Sequence, residues 1–217
     1  MAIEDKEIIL LKVSGQDKPG VTAGLTSILA NYDAVILDIG QADIHDTLSL
    51  GILFQIKAGS SSGPVLKDLL FKGYELGIKV KFIPISIPDY ENWVKAQIKQ
   101  RYIINILGEE LTAVQLAAVT KIMSDQHLNI DSIIRLTGRT SVVEKEEYPR
   151  SCVQLSVTGI IEDKTAMTAS FMEISRTLNV DISFQEDNMY RRNRRLVCFD
   201  MDSTLIQTEV IDELADL

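Results

Sequence analysis

The sequence predicts an α+β fold built from two tandem ferredoxin-like units, each with the element order β-α-β-β-α-β. Three observations lead there. Apolar residues alternate with a period of two in several short stretches, as in half-buried strands. Other apolar residues recur at helical spacing, so one stripe of each such helix must face a core. The order of these stretches over residues 8–82 then returns over residues 102–184, and a duplication of this kind sets the whole architecture.

In the first copy, Ile8, Ile9, Leu10, Leu11 and Val13 form a branched apolar run that ends at Gly15 and is expected as a strand. Pro19 and Gly20 turn the chain into a helix over 21–31, with Val21, Leu25, Ile28 and Leu29 on one stripe. A second strand is expected over 34–39, and Leu48, Leu50, Ile52, Phe54 and Ile56 alternate as a third. Residues 59–63 make a Gly/Ser turn, Pro64 is expected at the first position of a helix, and Leu66, Leu69, Leu70 and Leu76 supply its stripe. Ile78, Val80 and Phe82 alternate as the fourth strand.

The second copy repeats the order. Tyr102, Ile104 and Ile106 alternate. Thr112-x-x-Gln115 has the form of a capping box ahead of a helix carrying Leu116, Val119 and Met123. A strand is expected over 130–136, Val153, Leu155 and Val157 alternate as the next, and a charged loop lies between them. Met167, Phe171, Ile174 and Leu178 form a helical stripe, and Val180, Ile182 and Phe184 close the unit. The expected organisation is a first unit at 1–86, a structured connector at 87–100 holding Tyr90 and Trp93, a second unit at 101–188, a basic linker at 189–195 and a further segment at 196–217.

Composition narrows the class of partner. The 217 residues are 46% hydrophobic and 24% charged, as in ordinary globular domains, and no apolar run approaches the roughly 20 residues that cross a bilayer. No membrane association is expected. The N-terminus lacks the basic region and cleavage site of a signal peptide, so a cytoplasmic location is expected. Cys152 and Cys198 each sit in an apolar run and are expected as buried, reduced thiols. A net charge of −9 opposes binding to a nucleic-acid backbone. The cluster Arg191, Arg192, Arg194 and Arg195 is expected as a solvated linker.

The repeat, with Gln16-Asp17-Lys18-Pro19-Gly20 between its first strand and first helix, resembles the ACT domain, a small-molecule sensing module found beside enzymes of amino-acid metabolism. The resemblance covers nearly all of residues 7–188 and implies an amino-acid effector, L-serine or another, held by the loop after the first strand. A helix N-terminus suits a carboxylate and a nearby Asp suits an ammonium, which makes Asp17 and Gly20 the candidate effector residues. Asp17-Lys18-Pro19-Gly20 is also simply a good turn. The second copy has Gly108-Glu109-Glu110-Leu111-Thr112 there, without the Pro-Gly pair, so its own ligand site is in doubt. Exposed sheet edges in such units favour side-by-side packing and a homodimer.

Near the end, Leu196-Val197-Cys198-Phe199 is an apolar run that stops at Asp200, with Asp202, Ser203 and Thr204 following. A buried parallel strand would deliver both carboxylates at its ligand-binding end. One carboxylate can attack phosphorus while the second protonates the leaving alkoxide and then activates water. A hard cation such as Mg²⁺, held by Asp200 and Asp202, would offset the repulsion between nucleophile and substrate.

The run resembles the first motif of the haloacid dehalogenase superfamily, which implies Asp200 as nucleophile and Mg²⁺ ligand and Asp202 as general acid/base and second metal residue. Asp-x-Asp-Ser-Thr-Leu followed by Glu209 is similar to phosphoserine phosphatases. That likeness implies O-phospho-L-serine as substrate, L-serine biosynthesis as the setting and Glu209 as the group that receives the substrate ammonium. The family's later motifs would lie beyond Leu217, so the sequence as given is expected to be mainly a regulatory region and inactive alone. The alternative is an amino-acid-sensing and dimerisation module without catalysis.

Overall fold

A computed structural model describes residues 6–57, 61–96, 100–139, 141, 143, 150–188 and 191. Contacts divide the chain into two compact units, Met1–Ile98 and Lys99–Leu217. Each is an antiparallel four-stranded sheet with helices packed on one face.

The first unit runs β1 (Glu7–Gln16), α1 (Val21–Asn31), β2 (Val35–Ile44), β3 (Thr47–Ile56), α2 (Ser62–Leu76), β4 (Lys79–Ile85) and α3 (Ile87–Ala96). Its strand order is β2-β3-β1-β4, so the first strand is central and pairs on both sides. Leu11 stands opposite Ile52 on one side and Phe82 on the other. That register places the odd positions of β1 over the helices. Leu11, Leu25, Ile52, Phe54 and Leu69 are fully buried there. Each such side chain contributes about 1.5–3 kcal/mol by leaving water.

The helix over 21–31 starts and stops as the sequence predicts, whereas three other expectations change. The second strand extends to Ile44, because β3 offers hydrogen-bonding partners along its whole length. Helix α2 begins at Ser62 with Ser61 as its cap, so Pro64 is the third helical residue and still lies where no N–H is required. Its buried stripe is Val65, Leu69 and Gly73, while Leu70 is 54% exposed. Gly73 is the reason the stripe could not be read from large residues alone. A Cβ there would lie 2.5 Å from Val80 Cγ2, so the helix sits close on β4 only without a side chain.

The connector is a helix. Pro88 occupies its first turn, Ser86 Oγ accepts the Asp89 N–H at 3.2 Å, and the Tyr90 and Trp93 rings pack tilted at 42°, 6.0 Å between centroids.

The second unit runs β5 (Arg101–Gly108), α4 (Ala113–Asp125), β6 (Asn129–Arg135), β7 (Ser151–Thr158), α5 (Lys164–Leu178) and β8 (Asp181–Glu186), with strand order β6-β7-β5-β8. Ile104, Ile106, Val119, Met123, Leu155 and Phe171 fill its core. Alternation on β5 holds, but Ile103, on the opposite face, is also buried. Residues 140, 142 and 144–149 of the expected charged loop lie outside the described residues. Among the described residues, no helix is long and apolar enough to cross a membrane.

Candidate functional site

Asp17 and Gly20 lie together on the loop that leaves the central strand of the first unit, and both are exposed. The Asp17 N–H donates to the Asp46 carbonyl at 2.8 Å, which fastens this loop to the β2–β3 turn. Gly20 takes φ 93°, ψ −8°, a left-handed conformation that costs other residues about 1–2 kcal/mol. As the residue before α1 it carries no side chain, and no side chain caps the helix. The Val21 and Gly24 N–H groups turn inward to the Lys18 and Gly20 carbonyls at 3.4 and 2.8 Å. The amides of Thr22 and Ala23 complete the positive end of the helix.

Three residues that carry no signal in the sequence, Thr22, Gln41 and His45, stand at the same end. Thr22 Oγ1 donates to Gln41 Oε1 on β2 at 3.0 Å. Their nineteen-residue separation carries no local signal; only the pairing of β2 with β3 brings them near. His45, with φ 57°, holds its Nδ1 3.8 Å from Asp46 Oδ2 on the adjoining turn.

The equivalent helix end in the second unit is closed. Thr112 Oγ1 accepts the Gln115 N–H at 3.3 Å and Gln115 Oε1 accepts the Thr112 N–H at 2.8 Å. The amide of Gln115 reaches on to the Leu178 carbonyl at 3.0 Å and is 7% exposed. Side chains already occupy the place a carboxylate would take.

The helix pairs are tied differently as well. Tyr32, after α1, donates its hydroxyl to Asp68 Oδ2 on α2 at 2.6 Å. That hydrogen bond, with lesser help from burial and the Asp68 charge, raises the ionisation of Tyr32 above its usual value. In the second unit Gln126 Oε1, after α4, accepts the Asp163 N–H at 3.3 Å ahead of α5.

The basic linker needs a correction at Arg191, which is not solvated. Its side chain is 21% exposed, Nη2 donates to Gln154 Oε1 on β7 at 3.0 Å, and Nη1 lies 3.6 Å from Asp187 Oδ1. Arg191 thereby lies over the sheet face that the helices leave open. Cys152 is half-buried rather than buried, and burial pushes its thiol pKa up, which keeps it protonated. Arg192, Arg194, Arg195, Cys198, Asp200, Asp202 and Glu209 lie outside the described residues. Among those described, no group of three or more His, Cys, Asp or Glu could hold a metal ion.

This pair of folds agrees with known families. Residues 7–83 match one ACT-domain model and residues 101–185 match another, so the chain belongs to the ACT-domain family and carries the domain twice. Nearly all of it also aligns with curated phosphoserine phosphatases. The protein of that name from Streptomyces coelicolor is 32% identical over 211 residues, 97% of this chain and 48% of its own. Another from Mycobacterium tuberculosis is 27% identical over 210 residues, again 97% and 48%. The chain thus spans about half the length of these relatives. Among solved structures, an unknown protein from Galdieria sulphuraria superposes with a TM-score of 0.66 at 15% identity, covering 84% of this chain and 99% of that one, a likeness of fold.

Proposed function

We propose that this chain is the amino-acid-sensing regulatory region of a phosphoserine phosphatase, with its effector site at the start of α1. The open N-terminus of α1 carries the reading. An α-amino acid presents a carboxylate and an ammonium a few ångströms apart. The Thr22 and Ala23 amides suit the first, the Asp17 carboxylate suits the second, and Gly20 leaves the approach free of a side chain. L-serine, the product of the proposed reaction, is the effector that would make such a site regulatory.

The catalytic half of the reading rests on sequence and on the relatives' names. Asp200 would be the nucleophile and Asp202 the acid/base, with Glu209 taking the substrate ammonium of O-phospho-L-serine. Two carboxylates form a hard-oxygen donor set that fits Mg²⁺, and Asp200 and Asp202 would hold it. The ion would supply charge neutralisation at the phosphoryl oxygens. A homodimer is part of the proposal too. Strand β2 is a sheet edge with Val35, Ile36, Ile39 and Ile44 all exposed, and pairing would cover it. A cytoplasmic location fits a biosynthetic enzyme.

Calorimetry of the 217-residue chain with L-serine tests the sensor role. Saturable heat is expected, weakened at least about tenfold by Asp17→Asn, the loss of one charge-assisted contact. Absence of heat with L-serine, glycine and L-threonine alike would overturn it. For the catalytic half, Asp200→Asn in the complete protein should abolish turnover of O-phospho-L-serine; normal turnover would remove the assignment.

A further inference from the structure

The open face of the first sheet, opposite the helices, carries an arrangement that the effector reading does not use. Lys12 stands directly across from Lys81 on β4 and from Gly51 on β3. One row along, Ser14 stands across from Lys79 and Ser49. These positions alternate with Leu11 and Val13, which point into the core, so all of them share the outer face. They line a depression of about 580 Å³, the size of a small-molecule site. Gly51 and, beyond it on β2, Gly40 leave bare backbone at one side, and a Cβ at Gly40 would meet nothing within 4 Å.

Like charges directly opposite one another in an antiparallel pair destabilise it. Lys12 and Lys81 are such a pair, with Lys79 on the same side, in a chain whose net charge is −9. None of the three forms an ion pair among the described residues, whereas Lys57, Lys72 and Lys121 do so elsewhere. Asp38, the acidic residue one row along this face, is opposite Leu53 and accepts its neighbour Ile39 N–H at 2.9 Å.

The second unit shows that the fold does not require this arrangement. At the matching place Asn105 stands across from Ser183 and donates to its hydroxyl at 2.9 Å. Gln154, on the other side, accepts from Arg191. In the second sheet Asn105 donates to Ser183 and Arg191 donates to Gln154, although Asn105 Oδ1 and Arg191 Nε stay without partners among the described residues; in the first, three lysines without an ion pair line the same depression as two serines. Local rules are broken at functional positions when a ligand supplies the compensation.

We infer that this face of the first unit binds a compact phosphate-type dianion, either inorganic phosphate or the phosphate of a small monoester. Three ammonium groups more than offset its two negative charges, and the Ser14 and Ser49 hydroxyls can donate to its oxygens. The site is separate from the start of α1 and does not depend on amino-acid binding there.

The test is an amide NMR titration of the 217-residue chain, at constant ionic strength, with inorganic phosphate, O-phospho-L-serine, chloride and a glutamate oligomer. Saturable shifts confined to residues 12–14, 49–51 and 79–81 are expected with the first two only. The stronger of those two arms identifies the source of the phosphate. The double variant Lys12→Asn/Lys81→Ser copies the second unit. It should melt at least as high as the parent without anion, by up to about 2 °C, and bind at least about tenfold more weakly. Lys79→Gln, which leaves the strand pair intact, should weaken binding by a smaller factor and serves if the double variant does not fold. Shifts that never saturate, that persist unchanged in these variants, or that appear with chloride or only with the glutamate oligomer would overturn the inference.

Discussion

The two units share a topology and differ at three matching surface positions. At the start of the first helix, the first unit leaves an open N-terminus behind Gly20, while the second closes it with Thr112 and Gln115. Between the helices, the first uses an ionisable tie, Tyr32 to Asp68, and the second a neutral one, Gln126 to Asp163. On the open sheet face, the first exposes lysines and the second is covered by Arg191. Duplication preserved the buried pattern because packing demands it. The surface is free to diverge, and on the proposed reading only the first copy stays open to ligands.

The largest expected effects probe whether the cores are equivalent. Leu11 and Leu155 are both fully buried on central strands of their units. Either one changed to Ala should cost about 2–5 kcal/mol. Hydrogen exchange should then accelerate in the unit that carries the change, and equal acceleration in both units would break the comparison of two separate cores.

The helix starts come next. Gly20→Val forces a β-branched residue into a left-handed conformation and should cost about 1–2 kcal/mol, with loss of L-serine heat. Thr112→Ala should cost about 1 kcal/mol, measured by denaturant unfolding, and leave that heat unchanged. If Thr112→Ala also removed the heat, the functional difference assigned to the two helix ends would be wrong.

The smallest effect is a pH dependence at the helix tie of the first unit. The Tyr32 hydroxyl has its folded-state pKa raised, chiefly by its hydrogen bond to Asp68. A raised value means the contribution is fully present below the ordinary tyrosine range and is lost as pH rises through the folded value. Tyr32→Phe should therefore be less stable than the parent at neutral pH, and the gap should close in alkali. A gap that widened in alkali would reverse the assigned sign. Gln126→Ala, at the neutral tie, should show a gap that does not change over the same range.

Much of this was legible from the chain. Alternation in residues 48–56 and 153–157 and the helical stripe from Val21 to Leu29 located the elements, because burial on one face leaves a period in the sequence. The capping box at Thr112 was readable because both partners lie within four residues. The stripe of α2 was misread at Leu70, since Gly73 carries part of the contact and leaves no apolar mark. Arg191 was misread because its partner Gln154 is 37 residues away. Of the candidate effector residues, Asp17 and Gly20 were visible as a turn, and Thr22 and Gln41 were not.

Periodicity along the chain is enough to establish one repeated split β-α-β-β-α-β unit and to locate most core stripes, α2 excepted, because those features are local. Which surface side chains stand together is fixed in three dimensions: Lys12 with Lys81, Thr22 with Gln41 and Arg191 with Gln154. Strand register and chain return create these pairs over separations from 19 residues upward, and no local pattern encodes them.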